Sequence, residues 1–138
     1  MVTITDRVRF YETDLMGVVY HANYLKWFEM GRIAYFRAAG IDLNKLMEDG
    51  YMVPIVEVHS KYHQSARFDD EFLVETTLTD VNRVKFVFQY KVLRKKDGAL
   101  LAEGWSKNAF TNLEGKPARL TPAYYEKLQN VLEQERKN

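Results

Sequence analysis

One long segment that is apolar around most of its circumference constrains the fold of this 138-residue chain more than any other feature. Plotted at 100° per residue, the polar side chains of residues 23–39 fall on one stripe and large apolar side chains cover the rest. A helix with this pattern is buried, and a strongly twisted sheet wrapped around it satisfies the burial. We therefore predict a helix from Asn23 to Ala39, ended by Gly40. Its polar stripe contains Lys26, Glu29, Arg32 and Arg37.

The rest of the chain is dominated by strand patterns. Residues 2–11 alternate between apolar and polar side chains, which predicts a first strand. A short helix is predicted from Asp42 to Asp49, and a final helix begins at Thr121-Pro122. Tight turns at Asn82-Arg83 and Asp97-Gly98 join the last three strands into an antiparallel meander. The four later strands are predicted at residues 53–62, 72–81, 84–93 and 100–111. This order indicates an α+β fold.

Length and composition narrow the functional classes. A chain of this length is enough for one domain with a real core, so we expect a single domain over residues 1–138. The formal net charge of +1 argues against a broad attraction to nucleic acid. The sequence contains no cysteine, which excludes disulfides, thiol catalysis and cysteine–zinc sites. Neither a signal peptide nor a membrane-spanning stretch is recognisable, so we expect a cytoplasmic protein.

The candidate chemistry lies just before the long helix, in residues 11–24. Glu12 and Asp14 are followed by Gly17 and His21. A carboxylate that faces a helix N-terminus suits acyl transfer, because it can act as base or nucleophile while the helix amides hold an oxyanion. If the segment is extended, the two carboxylates share a face and raise one pKa. The alternative is that these acids serve only as capping and dipole partners.

The segment Tyr11–Arg32 resembles the active-site segment of hot-dog-fold acyl-CoA thioesterases of the 4-hydroxybenzoyl-CoA type, and of their Tol–Pal-associated bacterial relatives. Weaker similarities occur at residues 66–70 and 115–120. The resemblance implies a hot-dog fold, in which a five-stranded antiparallel sheet wraps a central helix. It also implies hydrolysis of an acyl-CoA without a cofactor. It further implies a homo-oligomer, a dimer or tetramer, whose acyl pocket and CoA site lie at the subunit interface.

The resemblance also assigns roles to individual residues. The family's catalytic aspartate falls on Asp14, and the histidine of the Tol–Pal-associated branch falls on His21. The helix-start amide that polarises the thioester carbonyl falls at about His21. Tyr20 and the Asn23-Tyr24 pair are the expected substrate-binding residues. The sequence departs from the family pattern at Glu12, Gly31 and Ser65, where aspartate, alanine and proline are usual.

Other residues of these segments allow structural interpretations. Asn23 suits a helix N-cap, and Glu12 suits a structural role. Glu29 and Arg32 have the spacing of a structural ion pair, although Glu29 is the alternative catalytic carboxylate because other hot-dog enzymes carry theirs on this helix. Side chains at 59 and 63 on one strand would lie about 13 Å apart, too far to share a metal ion. The candidates for binding nucleotide phosphates are Lys61, Arg67, Arg83, Lys85, Arg94, Lys95 and Lys96.

Two rival functions share this fold. A carrier-protein thioesterase would perform the same chemistry, but it would need a continuous basic rim for an acidic partner. A non-catalytic acyl-binding subunit would keep the pocket and lose the carboxylate, and the presence of Asp14 argues against it. The acyl group itself is not readable from the sequence.

Overall fold

A computed structural model describes residues 1–137 and shows one antiparallel sheet wrapped around a helix. The strands follow the order β1-β3-β4-β5-β2, and every neighbouring pair is antiparallel. The predicted hot-dog architecture and its β3-β4-β5 meander are thereby confirmed. The strands are β1 Val2–Arg7, β2 Ile55–Tyr62, β3 Glu71–Val81, β4 Lys85–Arg94 and β5 Leu100–Ala109; the helices are α1 Asn23–Ala38, α2 Leu43–Glu48 and α3 Pro122–Lys137.

The core lies between α1 and the concave face of the sheet. Alternate side chains of β3 and β4 are buried, as the period of a strand requires. Trp27 stacks on Phe72 with ring centroids 4.0 Å apart, and Phe28 stacks on Tyr90 at 4.4 Å. Offset aromatic pairs of this kind add stability beyond the area that they bury. They fix α1 against β3 and β4.

The first strand is shorter than the sequence pattern predicted. β1 pairs with β3 only as far as Arg7 and Glu71, because β3 begins there. The chain then turns through a 3₁₀ segment, Phe10–Glu12, and Phe10 is 74% exposed. The prediction of a strand to residue 11 is therefore wrong beyond Arg7. The remaining predicted strands and helices are present, with ends displaced by one or two residues.

The predicted polar stripe of α1 needs one correction. Lys26, Glu29 and Arg37 are exposed, but Arg32 retains only 8% of its accessible surface. Its guanidinium donates a 3.1 Å hydrogen bond to the hydroxyl of Tyr90, which explains how a charged side chain is accommodated here. The helix ends as predicted, since Gly40 has a φ of 79°.

The strand β2 forms an edge of the sheet, and no part of residues 1–137 pairs with its outer side. Several of its apolar side chains are exposed, which is unusual for a free edge strand. These are Ile55, Val56, Val58 and Tyr62. Of the helices within residues 1–137, none has the length and apolar character needed to cross a bilayer.

Candidate active site

Asp14 lies at the first position of a tight turn that precedes α1. Its backbone N–H donates to the carbonyl of Val18 at 2.9 Å, and its carbonyl accepts from the N–H of Gly17 at 3.0 Å. Gly17 adopts a φ of 77°, which such a turn requires and glycine permits. The Oδ1 atom of Asp14 accepts from the N–H of Met16 at 2.8 Å. Its Oδ2 atom has no hydrogen-bond donor among the described residues, and the side chain is exposed.

Glu12 has a different environment from Asp14. It ends the 3₁₀ segment and is 3% exposed, so the predicted extended segment with two carboxylates on one face is not formed. Its Oε1 atom accepts from the N–H of Arg9 at 2.7 Å, and its Oε2 atom accepts from the indole of Trp27 at 3.0 Å. Charge-assisted hydrogen bonds of this kind are strong. Glu12 therefore attaches the turn to α1, in agreement with a structural role.

The two residues that immediately precede α1 present open backbone donors. The N–H groups of Asn23, Tyr24 and Leu25 each donate to the carbonyl three residues before them, at 2.9–3.2 Å. Within the described part of the chain, the N–H groups of His21 and Ala22 find no acceptor. Open amides at a helix start carry a partial positive charge and suit a developing oxyanion. One of them belongs to His21, where the helix-start amide that polarises the thioester is predicted.

The side chain of Asn23 does not cap the helix. The N-cap residue is Ala22, and Asn23 is the first residue of α1. The Asn23 amide instead donates a 2.7 Å hydrogen bond to the carbonyl of Glu12. The N-cap interpretation is therefore wrong, because the side chain joins the helix to the turn that precedes it.

Tyr20, His21 and Tyr24 lie near one another but differ in exposure. The His21 ring packs against Tyr20 at 4.5 Å and against Tyr62 at 5.8 Å, and no hydrogen bond links it to Asp14 within residues 1–137. Tyr20 is 49% exposed, whereas Tyr24 is 3% exposed. The Tyr24 hydroxyl accepts from the N–H of Ala66 at 3.3 Å, and burial raises the pKa of Tyr24. Tyr24 thus lies in the core beneath the exposed residues.

The predicted ion pair between Glu29 and Arg32 is absent from the described residues. Arg32 turns inward to Tyr90, whose hydroxyl also lies 2.5 Å from that of Ser106. Burial raises the pKa of Tyr90, so this hydroxyl stays neutral. Glu29 remains exposed on α1.

A cleft of about 240 Å³ separates α1 from the beginning of β2. Its walls are largely apolar, with Glu29, Arg32 and Asn108 as the polar members. The Asn108 amide nitrogen donates to the carbonyl of Val53, while its oxygen is buried without a partner among residues 1–137. The apolar lining comprises Ile33, Phe36, Leu43, Val53, Ile55 and Phe86.

The histidines on and beside β2 have separate partners. His59 stacks on Trp105 with centroids 6.1 Å apart, and His63 lies 3.4 Å from a carboxylate oxygen of Glu103. Over residues 1–137, no group of three or more histidine or carboxylate side chains is placed to hold a metal ion.

Sequence reasoning missed two contacts of the site. The Glu12–Trp27 hydrogen bond joins residues that no spacing rule connects, and the Arg32–Tyr90 bond joins α1 to β4. The apolar circumference of α1 was a usable signal for the second contact, because a charged residue there has to find a buried partner.

The chain resembles known thioesterases over most of its length. The family model described as the thioesterase-like superfamily matches residues 8–128. A putative acyl-CoA thioesterase, YneP, of Bacillus subtilis is 36% identical over 85 residues, which cover 62% of each protein. The acyl-CoA thioesterase YbgC of Haemophilus influenzae is 34% identical over 89 residues, 64% of this chain and 65% of the relative. The chain thus spans just under two thirds of the length of these two curated relatives.

Solved structures extend the similarity to nearly the whole chain. The DHNA-CoA thioesterase of Staphylococcus aureus superposes with a TM-score of 0.92 at 27% identity, covering 98% of this chain and 93% of that one. The hypothetical protein TT1821 of Thermus thermophilus superposes with a TM-score of 0.87 at 31% identity, covering 94% and 98%.

Proposed function

This chain belongs to the thioesterase-like superfamily, and we propose that it is an acyl-CoA thioesterase that releases the free acid and CoA. The observation that carries the proposal is the arrangement around Asp14. One carboxylate oxygen is held by the turn and the other has no hydrogen-bond partner among residues 1–137, and the turn is followed by a helix start with two open amides. The proposed cytoplasmic location follows from the substrate, and we propose that residues 1–138 form a single domain.

Hydrolysis then proceeds through an oxyanion that the open amides stabilise. As general base, Asp14 takes a proton from water while the water oxygen attacks the thioester carbon. As nucleophile, Asp14 attacks that carbon itself, and water later cleaves the resulting anhydride. On either route the carbonyl oxygen gains negative charge near the N–H groups of His21 and Ala22. The carbon–sulfur bond breaks when the carbonyl re-forms, and the thiolate leaves as CoA.

We assign the remaining residues by their exposure. Tyr20 and His21 are exposed beside the turn, so they are placed to contact the thioester and its arm. Asn23 and Tyr24 do not contact the substrate directly, because their side-chain polar groups are hydrogen-bonded to the backbone of Glu12 and Ala66. Their contribution to substrate binding is to fix the turn and the start of α1.

A second copy of the chain is proposed to complete the site. β2 begins at the cleft and ends at Tyr62, which contacts His21. Antiparallel pairing of two β2 edges places the beginning of one strand beside the end of the other. The cleft of one protomer then lies beside residues 14–18 of its partner, which we call the catalytic turn. The apolar walls of the cleft form the acyl pocket. The exposed apolar side chains of β2 are covered in such a dimer, and two dimers can form a tetramer.

The charges near Asp14 favour free CoA over an acidic carrier protein. Most of the basic side chains at this end of the sheet already have carboxylate partners. Arg7 pairs with Asp69 and Glu71, Arg94 with Asp70 and Asp97, and Lys95 with Glu71. A continuous basic rim for a carrier protein is therefore not formed by these residues.

The test is a thiol-release assay on Asp14→Asn with a panel of acyl-CoA esters. The variant keeps an oxygen that can accept from Met16, so the turn is preserved while the charge is lost. We expect kcat to fall about a hundredfold or more, because an essential base or nucleophile is removed. Unchanged circular dichroism and molecular mass serve as controls. Retention of more than about a third of wild-type kcat would exclude Asp14 and make Glu29 the next candidate.

A further inference from the structure

Residues 66–70 form a turn that is hydrogen-bonded to the turn that contains Asp14. The N–H of Val19 donates to the carbonyl of Ala66 at 2.9 Å, and Val18 forms an isolated bridge with Arg67. Asp70 closes the turn, since its Oδ2 atom accepts from the N–H of Arg67 at 3.0 Å. Asp69 has a φ of 70°, the one positive value among the described non-glycine residues. Such a conformation persists only where the surroundings hold it.

Arg67 is an uncompensated cation in this turn. The neighbouring carboxylates of Asp69, Asp70 and Glu71 are paired with other basic side chains, as described above. The side chain of Arg67 is exposed and has no carboxylate within 4.0 Å in the described part of the chain. A guanidinium in this state is suited to a phosphate, which it can bind through two parallel hydrogen bonds.

The other candidate cations without carboxylate partners are less well placed. Arg83 precedes β4 and Lys85 begins it, whereas the 66–70 turn of the same protomer is near the end of β4, about 30 Å away along the strand. The Nε atom of Arg83 already donates to the carbonyl of Leu120 at 2.8 Å. Lys61 lies on the outer face of the sheet, because the adjacent Tyr62 faces the core side chain of Tyr24. Lys96 is in the β4–β5 hairpin and, in the described part of the chain, has no backbone hydrogen bond to the turn of Asp14.

The distance from Asp14 that an extended Arg67 guanidinium can reach matches the length of the pantetheine arm of CoA. Two interstrand steps separate their backbones, through Val18, which corresponds to about 10 Å. An extended arginine adds about 6 Å, so the guanidinium reaches about 16 Å from Asp14. The pantetheine arm has roughly 13 bonds between its sulfur and the first phosphorus, or about 15 Å when extended. The nearest phosphates on this arm belong to the diphosphate.

We propose that Arg67 binds the diphosphate of the CoA substrate and so positions its thioester at Asp14; this inference rests on the proposed function. Arg67 is a binding and positioning residue and takes no part in the chemical step. The backbone hydrogen bonds between the two turns hold the backbone of Arg67 in place relative to Asp14.

The test compares two thioesters of one acyl group, an acyl-CoA and the corresponding acyl-N-acetylcysteamine, which lacks phosphate. Arg67→Gln is expected to raise KM for the acyl-CoA about tenfold with little change in kcat, and to leave the phosphate-free ester unaffected. Arg67→Lys should recover part of the loss, because it restores the charge without the bidentate geometry. The same rise in KM is expected with acyl-dephospho-CoA, which keeps the diphosphate and lacks the 3′-phosphate.

Controls separate this inference from the proposed function. Arg136→Gln makes the same chemical change on an exposed site of α3 and should leave both substrates unaffected. If wild-type protein hydrolyses neither ester, the proposed function fails. If Arg67→Gln impairs both esters equally, or if Lys96→Gln alone raises KM for the acyl-CoA, the assignment of Arg67 is overturned. Loss of the Arg67 effect with acyl-dephospho-CoA would also overturn the assignment to the diphosphate.

Discussion

At the scale of single residues, Gly31 shows how a departure from the family pattern has a local cause. Alanine is usual at this position in the family that the sequence resembles. Here a Cβ atom on residue 31 would lie 2.2 Å from Oγ1 of Thr76 and 3.2 Å from Val74. That oxygen is buried and lacks a hydrogen-bond partner within residues 1–137. Gly31 and Thr76 therefore form a matched pair in which a hydroxyl occupies the space of a methyl group.

We predict that Gly31→Ala destabilises the fold by up to about 2 kcal/mol, because overpacking costs about 1–3 kcal/mol and alanine gains only roughly 1 kcal/mol in a helix. Thr76→Ala should restore most of the loss in the double variant, since it removes the atom that collides. Urea unfolding of the two single variants and the double variant gives the coupling free energy. A coupling near zero would show that α1 shifts away from β3 instead.

At the scale of elements, the turn before α1 depends on a buried carboxylate. Glu12 accepts from the N–H of Arg9 and from the indole of Trp27, so both of its oxygens face donors. This arrangement connects the 3₁₀ segment to the helix. The turn of Asp14 begins two residues later and is thereby held at the start of α1.

Glu12→Gln is predicted to lower the free energy of unfolding by about 1–3 kcal/mol, because the amide NH₂ then faces one of two N–H donors. Thioesterase activity of the variant should also fall, because the turn that contains Asp14 is held less firmly against α1. Glu126→Gln makes the same change on an exposed site of α3 and should stay within about 0.5 kcal/mol of wild type. Equal stability of the two variants, measured by urea unfolding with circular dichroism, would contradict the structural role of Glu12.

Elements with a strong period were predictable, and contacts between distant elements were not. The strands β3 to β5 and the helix α1 followed from alternation, from the Asp97-Gly98 turn and from Gly40. The strand β1 was predicted too long because its alternation continues beyond Arg7, which pairs with Glu71, the first residue of β3. The turn around Asp14 and the position of Asp14 before α1 were visible in the sequence. The inward orientation of Arg32 was not, because its partner Tyr90 is on another element.

At the scale of the whole molecule, the edge strand β2 leaves apolar side chains exposed on the single chain. Val56 and Val58 are 58% and 43% exposed on β2, next to the cleft that holds the proposed acyl pocket. A monomer would leave this edge open to unregulated pairing. Symmetric pairing of β2 closes the edge and brings a catalytic turn to each cleft.

Val58→Glu is predicted to yield monomers with little activity, because symmetric pairing brings two like charges into one apolar interface. Light scattering at micromolar protein should give one chain mass for the variant and at least twice that for wild type. Val84→Glu introduces the same charge beside the β3–β4 turn and should preserve both assembly and activity. A wild-type protein that is monomeric and active would refute the shared site.

The hydrogen bond between Glu12 and Trp27 also gives the protein an intrinsic optical signal. The chain has two tryptophans. Trp27 is fully buried and bonded to the residue that anchors the catalytic turn, whereas Trp105 is partly exposed and stacks on His59. Movement of the turn changes the polarity around the Trp27 indole and shifts its emission, while the Trp105 contribution is removable with Trp105→Phe. Substrate binding at the turn is then observable by stopped-flow fluorescence without any attached dye.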